Sequence, residues 1–118
     1  TTYYVVAPRF AVETAAPSGA TLGLRPLTDV QSQRRAMAYL DETRALRSYP
    51  YVQWAQPAGA IATRAVLDAA LRTGRFADAG DTADLAARPD LSVVGALRQF
   101  AEVRGPEGPA AVCAIHLE

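Results

Sequence analysis

The fold of this 118-residue chain is decided by residues 54–74, which read WAQPAGAIATRAVLDAALRTG. Pro57 suits the first position of a helix, because the N–H that proline lacks has no partner there anyway. Residues 58–73 follow with helical periodicity and many alanines. Gly74 then supplies the expected C-terminal stop. We therefore predict one alanine-rich helix that can approach a sheet closely.

Short β-prone segments lie on both sides of this helix. Those predicted as strands are residues 3–6, 22–26, 91–100 and 111–117. The segment 91–100 is apolar on both alternating faces, which predicts an interior strand. Asp78, Gly80, Asp81 and Asp84 mark a polar connection, and residues 105–109 form a turn cluster with a loose loop. This order predicts an α/β (α+β) fold, a mixed β-sheet with a helix packed on it.

Residues 28–49 are ambiguous between helix and hairpin. Propensity favours a helix from Gln31 to Leu46, because Gln, Arg, Ala, Met, Leu and Glu dominate that stretch. Alternation also fits a hairpin, in which Ala36, Ala38 and Leu40 share one face and residues 41–44 turn. From these residues alone the helix is slightly favoured.

The composition excludes several classes of protein. Half of the residues are hydrophobic and a fifth are charged, which is typical of a globular domain rather than a disordered chain. Twelve bases balance twelve acids, so the basic excess of a nucleic-acid-binding protein is missing. The single cysteine leaves no partner for an intrachain disulfide. No apolar run reaches the 18 residues of a membrane span.

The sequence offers no catalytic constellation. His116 is the only histidine, and alternation places Cys113 on the opposite face of the same predicted strand. A nucleophile needs its base within hydrogen-bond reach, so we interpret Cys113 as a small core residue. Residues 78–84 carry three aspartates but do not follow the full pattern of a calcium loop, with its glycine and its closing glutamate at set positions. We expect no enzyme activity, no cofactor and no metal site.

Aromatic residues cluster in the segment before the helix. The candidate interaction surface consists of Tyr39, Arg47, Tyr49, Tyr51, Trp54 and Pro57. Aromatic residues together with arginine are enriched at protein interfaces. The other interpretation is that these rings complete a small core, with the arginines at its rim. Both interpretations stay open at this point.

Several motifs together resemble one known family. They are Tyr3-Tyr4-Val5-Val6-Ala7-Pro8, Leu22-Gly-Leu-Arg-Pro26, Arg35-Ala-Met-Ala-Tyr39, Gln53-Trp54-Ala55-Gln56-Pro57 and Gly74-Arg75-Phe76. In this order they resemble the ABC-type transport auxiliary component family, which includes the paraquat-inducible-protein-C-like lipoproteins. The most specific motif is the Trp-Ala-x-Pro element before the helix. Gln56 departs from the pattern, because members usually carry Glu at that position.

The resemblance implies a non-catalytic docking domain in the periplasm. An acylated cysteine just upstream of Thr1 would anchor it to the outer membrane. Its implied partners are MCE-domain proteins and an ABC transporter that move lipids across the envelope. The implied fold is similar to the anticodon-binding-like and TolB amino-terminal folds. In that fold residues 35–39 and 46–54 pair as strands, which favours the hairpin over the helix.

The resemblance also implies one domain over residues 1–118, truncated at its C-terminus, because family members continue with another strand and helix. We therefore expect an open sheet edge at residues 91–100 or 111–117, and a homo-oligomer formed through that edge. The alternative function is a lipid- or small-ligand-binding module with a pocket between helix and sheet. Such a pocket would be lined by Val66, Leu71 and Val94.

Overall fold

The computed structural model describes residues 1–85, 88–106 and 108–118. These residues form helix α1 (Ala58–Arg72) and two β-sheets. The strands are β1 (Thr2–Tyr4), β2 (Ala20–Leu24), β3 (Thr28–Asp29), β4 (Ala36–Leu40), β5 (Leu46–Trp54), β6 (Phe76–Asp81), β7 (Leu91–Val93), β8 (Gly95–Gly105) and β9 (Gly108–Leu117). The predicted α+β class is confirmed.

The large sheet is mixed and is organised around β8. On one side, β8 pairs antiparallel with β9 along its whole length. On its other side, β8 pairs parallel with β3 near its start and with β4 near its end. Beyond β4 follow β5, antiparallel, and β1, parallel to β5. β1, β9 and the two-residue strand β3 each pair with one neighbour only and are the outer strands of this sheet among the described residues.

The β4–β5 hairpin confirms the strand pairing that the family resemblance implied for residues 35–39 and 46–54. The helix that propensity slightly favoured over residues 31–46 is therefore a wrong prediction. Tyr39 lies opposite Arg47, and Leu40 lies opposite Leu46. Asp41 closes the turn, because its Oδ1 accepts hydrogen bonds from the backbone N–H groups of Thr43 and Ala45 at 2.8 and 3.0 Å. Side chains of this kind offer the backbone an alternative to helix.

The small sheet is parallel, in the order β6–β2–β7. Its presence corrects two predictions. The polar stretch after Phe76 was expected to be a connection, but residues 76–81 form β6, because parallel pairing with the buried strand β2 overrides their weak β propensity. The predicted strand 91–100 breaks at Val94, so that β7 belongs to the small sheet and β8 to the large one.

Helix α1 joins the two sheets through one core. The helix begins one residue later than predicted, with Pro57 at the N-cap, and Gly74 follows it with φ of +74°, as expected for a stop. The core cluster contains Leu24 and Leu27 from the β2 region, Ala58, Ala62 and Leu67 from α1, and Leu97 from β8. Alanines on the helix let it lie close to both sheets.

The turn between β8 and β9 is tighter than the predicted loose loop, since Gly105 already pairs with Gly108. Part of the predicted turn cluster, Glu107, lies outside the described residues, as do residues 86–87. The N-terminal segment, residues 5–19, runs beside α1. Arg72 Nη2 holds it by donating to the Phe10 carbonyl at 2.6 Å.

The protein is extended for its size. Its radius of gyration is 16.0 Å, whereas a compact domain of this length has about 13–14 Å. Its exposed surface is 7758 Å², whereas a folded monomer of this mass exposes about 6,200 Å². The large sheet and its long hairpin therefore leave much surface uncovered.

Candidate interaction surface

The six residues of the predicted surface separate into two groups. Tyr39, Arg47 and Tyr49 come together where β4 pairs with β5. Trp54 and Pro57 lie towards the start of α1. Tyr51 points into solvent with 76% of its surface exposed. The six residues therefore do not form one surface. Tyr39, Arg47 and Tyr49 cluster near the turn of the hairpin, and the other three lie apart from them towards α1.

Two tyrosines form the centre of the first group. The rings of Tyr39 and Tyr49 lie 4.7 Å apart, with an interplanar angle of 39°. The Arg104 guanidinium carbon lies 4.5 Å from the centroid of the Tyr39 ring, which is cation–π geometry. This contact places the guanidinium over the ring, while 48% of the Arg104 side chain remains exposed.

A polar network ties the tyrosines to strand β8. The Tyr49 hydroxyl donates to Glu102 Oε2 at 2.5 Å and accepts from Arg104 Nη2 at 3.0 Å. Arg104 Nε also lies 3.5 Å from Glu102 Oε1. The pKa of the Arg104 guanidinium is raised, mainly by its hydrogen bond to Tyr49 and to a smaller extent by Glu102. The four residues Tyr39, Tyr49, Glu102 and Arg104, which we call the aromatic–arginine cluster, are therefore held in fixed positions rather than solvated separately.

Arg47 extends this cluster along β5. Its Nε donates to Asp41 Oδ2 at 2.6 Å, across the hairpin turn. The hydrogen bond from Arg47, followed by that from Thr43, holds the pKa of Asp41 well below its usual range, and Asp41 raises the pKa of Arg47. Because 60% of the Arg47 side chain remains exposed, its guanidinium is accessible to a partner.

Trp54 behaves as a core residue. It is half-buried, and its ring lies 5.5 Å from that of Phe100 at an angle of 34°. Its Nε1 is shielded from solvent without a hydrogen-bond partner among the described residues. Pro57 is exposed at the N-cap of α1. The core interpretation thus fits Trp54, whereas Tyr51 and the aromatic–arginine cluster fit the interface interpretation.

Sequence reasoning missed Glu102 and Arg104. They lie on β8, more than fifty positions after Tyr49, and reach the cluster because Tyr39 pairs with Glu102 in the β4–β8 ladder. The alternation of Phe100, Glu102 and Arg104 could have indicated that they share a face. Nothing local could have indicated which strand lies beside them.

An apolar cleft of about 480 Å³, which we call the sheet cleft, lies beside the cluster. Its walls include Met37, Trp54 and Phe100 from the large sheet and Val6 and Pro8 from the N-terminal segment. Val66, Leu71 and Val94, which were predicted to line a ligand pocket, do not line it. Val66 packs against the core, and the other two are exposed.

Cys113 and His116 do not form a site. Cys113 is exposed, so the predicted core position is wrong, although desolvation by its neighbours raises the pKa of its thiol. The two residues lie three positions apart on one strand and point to opposite faces. The sequence suggested no acidic neighbour for His116, but its Nε2 lies 3.1 Å from Glu118 Oε1. Both side chains are exposed, at 45% and 72%.

Among residues 1–85, 88–106 and 108–118, no three His, Cys, Asp or Glu side chains converge as metal ligands. No helix in the same ranges has the length and hydropathy needed to cross a membrane.

Comparison with known proteins identifies a similar fold. No family model and no curated protein matches the sequence. The structure is similar to the crystal structure of protein XCC0632 from Xanthomonas campestris, of the family DUF330, with a TM-score of 0.71 and 21% sequence identity. The match covers 95% of this chain and 65% of the Xanthomonas chain. At that identity the likeness shows the fold alone.

Proposed function

We propose that this protein is a non-catalytic auxiliary subunit of an ABC-type, MCE-associated lipid transport system, and that it acts in the periplasm by docking. The observation that carries the proposal is the aromatic–arginine cluster. Tyrosine and arginine are the residues that most often dominate binding energy at protein interfaces. The family resemblance of the sequence motifs supplies the class of partner, an MCE-domain protein together with the transporter.

The geometry of the cluster supports docking in a specific way. Tyr39 and Tyr49 lie against each other at 4.7 Å, and Arg104 is fixed over Tyr39 at 4.5 Å. Side chains ordered before binding lose less conformational entropy when the partner arrives. Arg104 still has 48% of its side chain exposed, which leaves donors for a partner carboxylate or carbonyl.

The experiment measures affinity for an MCE-domain protein from the same organism. The MCE-domain protein is immobilised, and the dissociation constants of wild type, Tyr39→Ala and Arg104→Ala are measured by biolayer interferometry. We expect each substitution to weaken binding about tenfold or more, or at least about 1.4 kcal/mol. Circular dichroism of each variant checks that the fold is intact.

Tyr3→Ala is the matched control, because Tyr3 is an exposed tyrosine (56%) on the opposite outer strand. We expect Tyr3→Ala to bind like wild type. If wild type does not bind the MCE-domain protein, or if all three variants weaken binding equally, the proposal is wrong.

The sheet cleft favours a second candidate function, the binding of a single apolar chain. Its volume of about 480 Å³ lies within the range of about 300–1,000 Å³ that is typical of small-molecule sites. Trp54 is the only tryptophan and lines the cleft, so its fluorescence reports on occupancy. A saturable emission shift on titration with a fatty acid would support this function. An unchanged spectrum would exclude it.

A further inference from the structure

A second apolar groove lies between the N-terminal segment and helix α1. Its volume is about 520 Å³, and we call it the helix groove. One wall is the segment from Tyr4 to Arg9, in which Val6 and Pro8 also line the sheet cleft. No member of the aromatic–arginine cluster lines the helix groove, so the groove is separate from the proposed docking surface.

One face of α1 forms the floor of the helix groove. Ile61, Arg64, Ala65 and Asp68 line it, and spacings of three and four residues place such positions on one face of a helix. Ile61 and Ala65, at 5% and 3% exposure, are packed into the protein and give this floor an apolar surface. The volume of the groove falls within the range of about 300–1,000 Å³ that is typical of small-molecule sites.

The charged residues of the helix groove leave it with a positive character. Three of them line it, namely Arg9, Arg64 and Asp68. The carboxylate is already paired, because Asp68 Oδ2 accepts a hydrogen bond from Arg72 Nε at 2.9 Å. Arg9 and Arg64 are exposed, and neither forms a salt bridge with another of the described residues. The groove therefore presents two guanidiniums without a carboxylate partner.

The wall formed by residues 5–9 adds backbone groups that a ligand can use. The segment is held at its two ends, where Ala55 N–H donates to the Tyr4 carbonyl at 2.7 Å and Arg72 Nη2 donates to the Phe10 carbonyl at 2.6 Å. Between these points no backbone hydrogen bond ties residues 5–9 to the described parts of the chain. The N–H groups of this wall are therefore available to an anion in the groove.

We propose that the helix groove binds a single-chain anionic amphiphile, a molecule with a carboxylate or phosphate head and one apolar chain. Arg9 and Arg64 bind the head, because guanidinium groups donate paired hydrogen bonds to carboxylate and phosphate oxygens. The apolar chain lies over Ile61 and Ala65 and against Val6.

Charge and apolarity together select this occupant. A cationic head would meet the two arginines with like charge, which disfavours cationic amphiphiles. A free anion without a chain would leave the apolar floor in water and gain nothing from its burial. The site goes beyond the proposed docking function and uses other residues. Its test needs no MCE-domain protein, so either proposal can fail alone.

The first test is isothermal titration calorimetry with dodecyl phosphate, kept below its critical micelle concentration. The proteins are wild type, Arg9→Gln, Arg64→Gln and the matched control Arg98→Gln. Arg98 is an exposed arginine of β8 that lines neither cavity. We expect the groove variants to bind about tenfold more weakly or less, since each loses a charge-assisted hydrogen bond. Arg98→Gln should bind like wild type.

Three results of this titration overturn the proposal. They are the absence of binding to wild type, undiminished binding by Arg64→Gln, and equal weakening in Arg64→Gln and Arg98→Gln. Trp54 lines the sheet cleft but not the helix groove. Undiminished binding by Arg64→Gln together with a shift of the Trp54 emission would therefore place the amphiphile in the sheet cleft.

The second test separates the head from the chain. Inorganic phosphate and dodecanol are titrated into wild type, and we expect each to bind at least about tenfold more weakly than dodecyl phosphate. Phosphate that binds as tightly as dodecyl phosphate would show that the apolar floor contributes nothing. Dodecanol that binds as tightly would show that the arginines contribute nothing, and either result overturns the proposal.

The third test changes the charge of the groove at a neutral residue. Gln56 is exposed and lines the helix groove. In Gln56→Glu the new carboxylate competes for the guanidiniums, so we expect dodecyl phosphate to bind about three- to tenfold more weakly. Gln56→Lys, which alters the same position without adding an acid, should bind at least as tightly as wild type. Equal affinity in the two variants contradicts recognition of the head by charge.

Discussion

The two sheets are built on one core but differ in what their side chains contact. The small sheet is parallel, and its central strand β2 is buried along Leu22, Gly23 and Leu24. The large sheet carries the aromatic–arginine cluster, in which Tyr39 and Tyr49 are half-buried and Arg104 is exposed. The central strand of the small sheet thus serves packing, whereas the large sheet keeps an ordered group of aromatic and charged side chains in contact with solvent.

The largest expected effect tests whether the sheets share a core. Leu24 in the small sheet and Leu97 in the large sheet are both 1% exposed and belong to the same cluster. We expect Leu24→Ala and Leu97→Ala each to lower the free energy of unfolding by about 2–5 kcal/mol, through lost burial and a cavity. Urea denaturation followed by fluorescence and by circular dichroism should give coincident transitions. Separate transitions in either variant would show that the sheets unfold independently.

The next effect compares close packing in the two sheets. A Cβ at Gly95 in β8 would lie 2.5 Å from the backbone oxygen of His116. A Cβ at Gly23 in β2 would lie 2.8 Å from Pro89 Cγ and Thr82 Oγ1. We expect Gly23→Ala to destabilise by roughly 1–3 kcal/mol, and Gly95→Ala to destabilise more, because a paired backbone cannot move aside as a side chain can.

Thermal unfolding of the two glycine variants is the measurement. A smaller loss of stability in Gly95→Ala than in Gly23→Ala would contradict the rigid β8–β9 ladder.

The smallest effect concerns the turn of the β4–β5 hairpin and depends on pH. Arg47 holds the pKa of Asp41 well below its usual range, so the ionised carboxylate stabilises the folded state. Because the pKa of Asp41 is lower in the folded than in the unfolded state, its ionisation stabilises the fold at any pH above the unfolded pKa of about 3.9. This stabilisation is lost as the pH falls from about 3.9 towards the folded pKa. Asp41→Asn should therefore be less stable than wild type near pH 7, by a small margin because solvent around the exposed Arg47 side chain screens the pair.

The measurement is the melting temperature of both proteins between pH 7 and pH 2. The gap between them should stay constant down to about pH 4 and narrow below it. Glu42→Gln, which alters the neighbouring exposed carboxylate, is the control. A gap that stays the same at pH 2 would show that the charge of Asp41 contributes nothing to the hairpin.

The sequence determined the elements with strong local signals. Residues 54–74 predicted helix α1 closely, because a proline start, alanine-rich periodicity and a glycine stop are all local. Propensity alone slightly favoured a helix over residues 31–46, and it was wrong there. The resemblance to a family selected the hairpin, whose alternation the residues had left open.

Only the tertiary structure decided how these elements combine. It made residues 76–81 a strand by pairing them with β2, and it brought Glu102 and Arg104 to Tyr39 and Tyr49 through the parallel β4–β8 ladder. Periodicity along a chain records which face of a strand is buried, but it carries no information on which distant strand supplies the neighbour. The sequence therefore identified the tyrosines of the candidate surface but not Glu102 and Arg104. Those two residues reach Tyr49 only through strand pairing across more than fifty residues.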